Sequence, residues 1–336
     1  MVKVSVLLPV YNTNAAHLKS AIDSVLFQTF TDFELIIYND ASTEDHVEKT
    51  VKSYNDSRIR YISGEKNLGI SRVRNKLIDL SEGEYLAVMD HDDLFLPQKL
   101  EKQINLMDEN PDIGVCGTAY KKFGNLLKRK TVVFPQTHKE IRAALFFKNV
   151  IHHPSCVMRK KNLIENDIRY DENYISANDR KLFMDISEVG KAFNIQEPLC
   201  KYRMHKNMTS QAKRKEIVNQ QKLLRKDFLN RMGGVLSPAE EDILNDYVLK
   251  GRAKIRQYDR LVEIESVLTK LSLANDRSSY FDKEIFNKSC AQYLIKRCLN
   301  AAFYGKISSK ALLRDTILPV SSQKNPFFLK MVNYFK

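Results

Sequence analysis

Four short strand-like runs, three of them apolar, each closed by polar residues and followed by a helical pattern, constrain this chain most. They are Val4-Ser-Val-Leu-Leu-Pro-Val10, Phe33-Glu-Leu-Ile-Ile-Tyr38, Arg58 to Ser63 and Tyr85-Leu-Ala-Val-Met89. Apolar runs of this length bounded by polar residues read as strands buried on both faces, and Arg58 to Ser63 as a further short strand. The helical patterns are Ala15 to Gln28, Thr43 to Tyr54, Ile70 to Leu80 and Pro97 to Glu109, the first with Leu18, Ile22, Val25 and Leu26 on one face. Such alternation predicts an α/β fold with a mainly parallel, Rossmann-like sheet flanked by helices. Right-handed crossovers then bring the loops Pro9 to Asn12, Asn39 to Ser42 and Asp90 to Asp93 to one rim, where open sheets bind ligands.

Further on, Ile113 to Tyr120, Ala192 to Ile195 and Leu199 to Arg203 read as strands, His152 to Met158 as a strand entered from a turn, and Asn178 to Val189 as a helix ended by Gly190. Residues 121–150 carry a mixed pattern. From Gln211 the patterns are helical, so a boundary is expected near residue 210, between a domain of residues 1–210 and a helical region of residues 211–336.

The net charge of +13 points to polyanionic partners: nucleic acid, an anionic membrane or phosphorylated substrates. Nucleic acid is disfavoured, because the basic residues are dispersed and no reader motif is present. The five cysteines form no C-x-x-C pair and read as reduced thiols. No apolar run reaches the ~18 residues of a membrane span. The run Val4 to Val10 is too short for a signal peptide. A cytoplasmic protein with at most peripheral membrane contact is expected. The sequence holds no G-x-G-x-x-G, no P-loop, no H-E-x-x-H and no G-x-S-x-G.

The chemistry therefore falls to the rim. Asp90, Asp92 and Asp93 surround His91, and three such acids repel one another unless a cation is present. A hard divalent ion on their oxygens would relieve this and hold substrate phosphates; a solvated turn that caps the next helix uses the same residues. Asn39 and Asp40 suit hydrogen bonds to a nucleobase, and equally an Asx-turn or helix cap. Arg72 and Arg74 suit a diphosphate or a solvated helix face. Asp179 suits a general base or a favourable anion in a helix's first turn. His205 suits a metal, a phosphate or a structural contact. His152 and His153 are adjacent, so on a strand they point apart.

Taken in order, the segments from residue 3 to about residue 210 resemble the family 2 glycosyltransferases of GT-A fold. The resemblance rests on Val6-Leu-Leu-Pro-Val-Tyr-Asn12, Ser24-Val-Leu-Phe-Gln-Thr-Phe30, Phe33 to Ser42, Asn67-Leu-Gly69 with Arg74-Asn75, and Glu82-Gly-Glu-Tyr-Leu-Ala-Val-Met-Asp-His-Asp-Asp93. It continues in His153-Pro-Ser155, the Ala-Asn-Asp179 helix start and Pro198-Leu-Cys-Lys-Tyr-Arg-Met-His205. The resemblance implies an inverting transfer from a nucleotide sugar, usually a UDP-sugar, with Mn²⁺ or Mg²⁺. It implies a nucleotide-sugar half of about residues 1–120 and an acceptor half of about residues 121–210. By similarity Pro9, Tyr11, Asn39, Asp40, Asn67, Arg74, Asp90 and Asp92 hold the nucleotide sugar. Asp92, Asp93 and His205 lie nearest the metal, and Asp179 is the base.

Two departures stand out. Asn39-Asp40 replaces a frequent Asp-Asp, which leaves UDP against CDP open. Asn178-Asp179 replaces Glu-Asp and is followed by Arg180-Lys181, which predicts a cationic acceptor pocket suited to a phosphorylated or acidic glycan. The Q-x-x-R-W signature of processive relatives is absent, so single-sugar transfer is expected. Residues 316–336 hold no acidic residue and interleave Lys324, Lys330 and Lys336 with aromatic and apolar residues. They suit an anionic membrane surface, a packed terminal helix or a contact in a homo-oligomer. The expected role is transfer to a cell-surface glycan or lipid-linked acceptor such as lipooligosaccharide, O-antigen or capsule. The alternatives are an inactive glycan- or nucleotide-binding scaffold and a metal-dependent nucleotidyltransferase.

Overall fold

The structure, a computed structural model, describes residues 2–124, 130–174, 177–204, 214–249 and 258–305. The chain forms two compact units, residues 1–221 and residues 222–336.

The first unit is built on one mixed sheet. Its strands are β1 (Val4–Val10), β2 (Phe33–Asn39), β3 (Ile59–Ser63), β4 (Tyr85–Val88), β5 (Leu94–Phe95), β6 (Ile113–Gly124), β7 (Thr131–Val132), β8 (Val157–Arg159) and β9 (Lys191–Met204). The helices are α1 (Ala15–Leu26), α2 (His46–Lys52), α3 (Ile70–Leu80), α4 (Lys99–Glu109), α5 (His138–Phe147), α6 (Lys160–Glu165) and α7 (Asn178–Val189), with α8 (Arg214–Arg231) following. The strand order is β3-β2-β1-β4-β8-β6-β9-β5, with β7 paired to β6. The first four strands are parallel, as their alternation with helices requires.

β1, β2 and β4 are buried along their whole length, which is why they read as continuous apolar runs. Their core joins α1 and α4 through Leu18, Ile22, Val25, Leu100, Ile104 and Met107. Asn14 caps α1, its side-chain oxygen accepting from the Ala16 and His17 amides. Pro9 sits in register with Tyr38, next to the end of β1. Gly83 packs so closely on β1 that a Cβ there would lie 2.5 Å from the Ser5 nitrogen.

The second half departs from the sequence expectation. β8 runs antiparallel to both β4 and β6, so the sheet is parallel only in part. The stretch His152 to Met158 does enter its strand through a turn: His153–Ser155 is a 3₁₀ turn, and Val157–Arg159 pairs. The two short strands expected at 192–195 and 199–203 are one strand, β9, whose pairing with β6 shifts register between Ile195 and Pro198. A proline that cannot donate to a ladder is accommodated at such a bulge.

In the second unit, helices α9 (Pro238–Ile243), α10 (Tyr258–Ser278) and α11 (Lys283–Gly305) follow, with a π-helical turn at Leu244–Leu249. Ser237 and Glu240 form a capping box at the start of α9, two side chains satisfying amides that the helix leaves open. Among the described residues no helix is long and apolar enough to cross a membrane. All five cysteines are free and buried. The segment 316–336 lies outside the described residues.

Candidate active site

The order β2-β1-β4 sets three strand ends side by side. The Asp40 amide donates to Val10, and the Met89 amide donates to Leu7. The loops after β1, β2 and β4 therefore share one rim. They are also stitched together. Asn12 Oδ1 accepts from the Thr43 amide at 2.9 Å. Thr13 Oγ1 lies 2.6 Å from His91 Nδ1, and the Thr13 carbonyl lies 2.6 Å from His46 Nε2. Tyr11 is 45% exposed on this rim, whereas Pro9, Asn39 and Asp40 are buried.

Asn39 and Asp40 each have structural work. Asn39 Oδ1 accepts from the Ser42 amide, and its Nδ2 donates to the Tyr61 hydroxyl at 3.0 Å. The Asp40 carboxylate accepts the amides of Leu68 and Gly69, at 2.7 and 3.0 Å, at the N-terminus of α3. Asn67 Nδ2 donates to the Asp40 carbonyl at 3.3 Å. An anion at a helix start is favourable, and Gly69 takes φ +84° to allow this approach. Each carboxylate oxygen keeps a second lone pair, so these bonds leave Asp40 able to accept from a ligand.

Ala41, which follows Asp40, has φ 54°. A side chain in this left-handed region costs ~1–2 kcal/mol, and the greater freedom of an unfolded glycine returns part of it. Ala41→Gly is therefore expected to raise stability by roughly 0.5–1 kcal/mol, read as a higher midpoint in urea unfolding. A lower midpoint would show that the strain is relieved elsewhere.

Beyond β4 the acids differ in environment. Asp93 is 1% exposed; its Oδ1 accepts the Arg203 amide at 2.9 Å, and its Oδ2 has no hydrogen-bond partner. Arg203 Nε also donates to the Asp92 carbonyl at 2.7 Å, tying the acidic loop to the end of β9. Burial, then repulsion from Asp90 and Asp92, holds the Asp93 carboxyl well above the usual range. The Asp90 carboxyl is also raised, by burial first and by Asp92, against the pull of Arg74. His152 Nε2 lies 3.9 Å from Asp93 Oδ2, and its ring stacks on Tyr120. His153 instead faces the Tyr170 hydroxyl at 2.9 Å. The two histidines do point apart, although the backbone is a turn rather than a strand. Burial lowers His152 to about 3, so it is neutral at physiological pH.

Arg74 joins the acids to α7. Its guanidinium donates to Asp90 Oδ1 at 3.3 Å and to Asn178 Oδ1 at 3.4 Å. Asn178 donates on to Ser71 at 2.8 Å. Arg72 points elsewhere and pairs with Glu172 at the surface. Asp179, next to Asn178, accepts from Asn149 Nδ2 at 2.7 Å and from the Arg180 amide at 2.7 Å. Its carboxyl is raised, by burial first and with a contribution from Asp90.

The cationic pocket expected from Arg180 and Lys181 is not built by them. Arg180 is fully buried and donates to the carbonyls of Leu145 and Phe146, and Lys181 pairs with Asp185 at 2.5 Å. His205 lies outside the described residues.

Two sets of residues that sequence reasoning left without a role support the site. Gln28 bonds the Leu96 carbonyl at 2.9 Å and the Leu100 amide at 3.0 Å, and Ser24 Oγ accepts the Phe95 amide at 3.1 Å. The Ser24 to Phe30 segment thus anchors the chain just after the acidic loop. Asn149, the partner of Asp179, falls in the mixed stretch 121–150, where no periodicity marked it.

Comparison with known proteins agrees with this geometry. The family description "Glycosyl transferase family 2" matches residues 5–167. An uncharacterized glycosyltransferase of Methanocaldococcus jannaschii is 34% identical over 209 residues, covering 60% of this chain and 70% of that protein. Another, of Haemophilus influenzae, is 31% identical over 252 residues, covering 68% and 75%. In fold, the chain is similar to residues 1–349 of S. aureus TarS, solved in complex with UDP-GlcNAc, with a TM-score of 0.59 and 18% identity over 90% of this chain and 89% of that one. It is also similar to the mannosyltransferase PcManGT of Pyrobaculum calidifontis, solved with GDP-Man and Mn²⁺, with a TM-score of 0.51 and 14% identity over 97% and 82%. The rim of strand-end loops, the GT-A type fold and the relatives converge: the chain belongs to glycosyl transferase family 2 and is a glycosyltransferase.

Proposed function

We propose that this glycosyltransferase moves a single sugar, with inversion, from a nucleotide sugar to a hydroxyl of a cell-surface glycan or glycolipid. A UDP-sugar is the first candidate donor. The observation that carries the reading is the Arg74 bridge, which links the donor-side Asp90 to Asn178, the neighbour of Asp179. In-line displacement at a sugar carbon needs a base and a leaving-group site kept at a fixed separation, and the bridge ties Asp90 to the residue beside Asp179.

In this reading Pro9, Tyr11, Asn39, Asp40 and Asn67 hold the nucleoside, and Asp90, Asp92 and Arg74 the ribose and diphosphate. The residues present fit a divalent cation, Mn²⁺ or Mg²⁺. Two carboxyls of the acidic loop are raised by burial and mutual repulsion, as carboxylates awaiting a positive charge would be. Among the described residues no group of three or more ligand side chains is assembled. A hard ion can be held by one or two carboxylates and completed by substrate phosphates. Asp92, Asp93 and His205 are the proposed ligands; Asp93 is bonded to β9 through Oδ1, and its Oδ2 has no hydrogen-bond partner. The ion's contribution would be electrostatic stabilisation of the departing diphosphate. Asp179 takes the proton of the acceptor hydroxyl, and its raised pKa brings it nearer the working pH of a general base. The charge of +13 supports a phosphorylated or membrane-borne acceptor at a cytoplasmic membrane face, with residues 316–336 as the proposed contact.

A thermal-shift panel of UDP, CDP, GDP and dTDP, with and without Mn²⁺, tests the donor site. A nucleotide at a hundredfold over its Kd adds ~2.7 kcal/mol to stability. Stabilisation by one diphosphate, and only with metal, is the expected result and identifies the base that Asn39 and Asp40 accept. No response to any of the four would overturn the reading.

A further inference from the structure

We infer that the C-terminal end of α5 is the mount of the base, and that Asn149 is a positioning residue that holds Asp179 in one rotamer by donating to its outer carboxylate oxygen. The inference rests on Asp179 being the base.

The mount starts with an ordinary problem of helix ends. The last carbonyls of α5 have no partner within the helix. Arg180 answers it: Nε donates to the Leu145 carbonyl at 2.7 Å, and Nη2 to the Phe146 carbonyl at 2.6 Å. A cation at the negative end of a helix is favourable, all the more when buried. Gln221 accepts from the third nitrogen, Nη1. The first turn of α7, with Asp179, is thereby pinned to the end of α5.

Asn149 comes two residues after α5. Its Oδ1 accepts the Ile151 amide at 3.2 Å, which leaves its Nδ2 to donate. That nitrogen meets Asp179 Oδ2 at 2.7 Å, while Asp179 Oδ1 accepts the Arg180 amide at 2.7 Å. Both carboxylate oxygens are thus aimed, and each keeps a lone pair for a proton from a ligand. The other groups that act on Asp179 are Arg74 of α3, Asp90 of the acidic loop, Tyr170 and Cys156. None of these four donates a hydrogen bond to Oδ2. Asn149 therefore has a specific electrostatic part: its N–H favours the ionised carboxylate against the burial that opposes it.

The test is a carboxyl titration of the full chain labelled with ¹³C at aspartate, the Asp179 signal being the one lost in Asp179→Asn. Asn149→Ala is expected to move the Asp179 midpoint up by about one pH unit, as loss of a hydrogen bond to a charged group should. Asn149→Asp, nearly isosteric, is expected to move it further up, because a like charge replaces a donor. The acid limb of turnover, with the nucleotide sugar the panel selects, should shift with it, so that the loss approaches about tenfold below the parent's midpoint and fades well above it. Midpoints unmoved in both variants overturn the inference. So does an equal loss of turnover at every pH, which is what a merely structural role gives. If Asp179→Asn itself retains turnover, the base assignment is at fault. If that variant is inactive while the Asn149 variants leave the titration unmoved, only the mount is.

Discussion

Replacing Asp179 with Asn is expected to cut turnover by about 10²–10⁴-fold, the usual contribution of a positioned general base, while metal-dependent nucleotide protection survives. The substitution keeps the shape of the side chain and removes only its ability to take a proton. Nucleotide contacts are proposed for the β1, β2 and β4 loops and Arg74, none of which donates to the Asp179 carboxylate, so binding and turnover should separate. Stability should stay close to that of the parent, and the sign follows from the raised pKa. A carboxyl that holds its proton more tightly in the folded than in the unfolded chain loses stability as pH rises from the unfolded towards the folded value. Removing that buried charge recovers this loss at neutral pH, against about 1 kcal/mol for one of the two hydrogen bonds to the carboxylate. Turnover assays, urea unfolding and thermal shift with nucleotide on the same samples check all three parts. Undiminished turnover would exclude Asp179 as base. No turnover in the parent chain, with nucleotide still bound, would favour an inactive scaffold.

Asp92→Asn should have the second largest effect. Turnover is expected to fall by about 10²–10³-fold, the scale on which a preorganised charge at a leaving group acts. The difference in nucleotide stabilisation with and without Mn²⁺ should vanish. Fold should be retained, because the loop is held by the Asp92 carbonyl and by Asp93, both bonded to Arg203, rather than by the Asp92 carboxylate alone. Titration of Mn²⁺ by its paramagnetic signal, in the presence of the selected diphosphate, measures the loss directly. A variant that still binds the ion with parent affinity would remove Asp92 from the proposed ligands.

The strands and helices of the first hundred residues were legible because both signals are local. β1, β2 and β4 are buried on both faces and so read as unbroken apolar runs, and α1 carries its cap at Asn14 and its apolar face at Leu18, Ile22 and Val25. The convergence of Asn12, Asn39 and Asp90 was also legible, since parallel crossovers leave no other rim for three such loops. The second half was less so. β8 is three residues long and enters antiparallel between β4 and β6, a pairing that depends on partners far away in sequence. The two short strands read at 192–195 and 199–203 are one, because a bulge carries β9 past Pro198.

Charge was the poorest guide. Arg180 and Lys181 read as a cationic acceptor pocket beside Asp179, and only the packing of α5 on α7 turns the first inward to helix carbonyls. Asn149 offers no periodicity and no spacing, and acquires meaning only when folding brings it to Asp179, 30 residues on. By itself the sequence determined the parallel half of the sheet, the three loops of the rim and the residue types gathered there, because period, length and turn chemistry are properties of neighbouring residues. The tertiary structure alone decided which of those groups are buried, which carboxyls are raised and which side chains hold Asp179. Those properties depend on desolvation and on partners many residues apart, which no local pattern records.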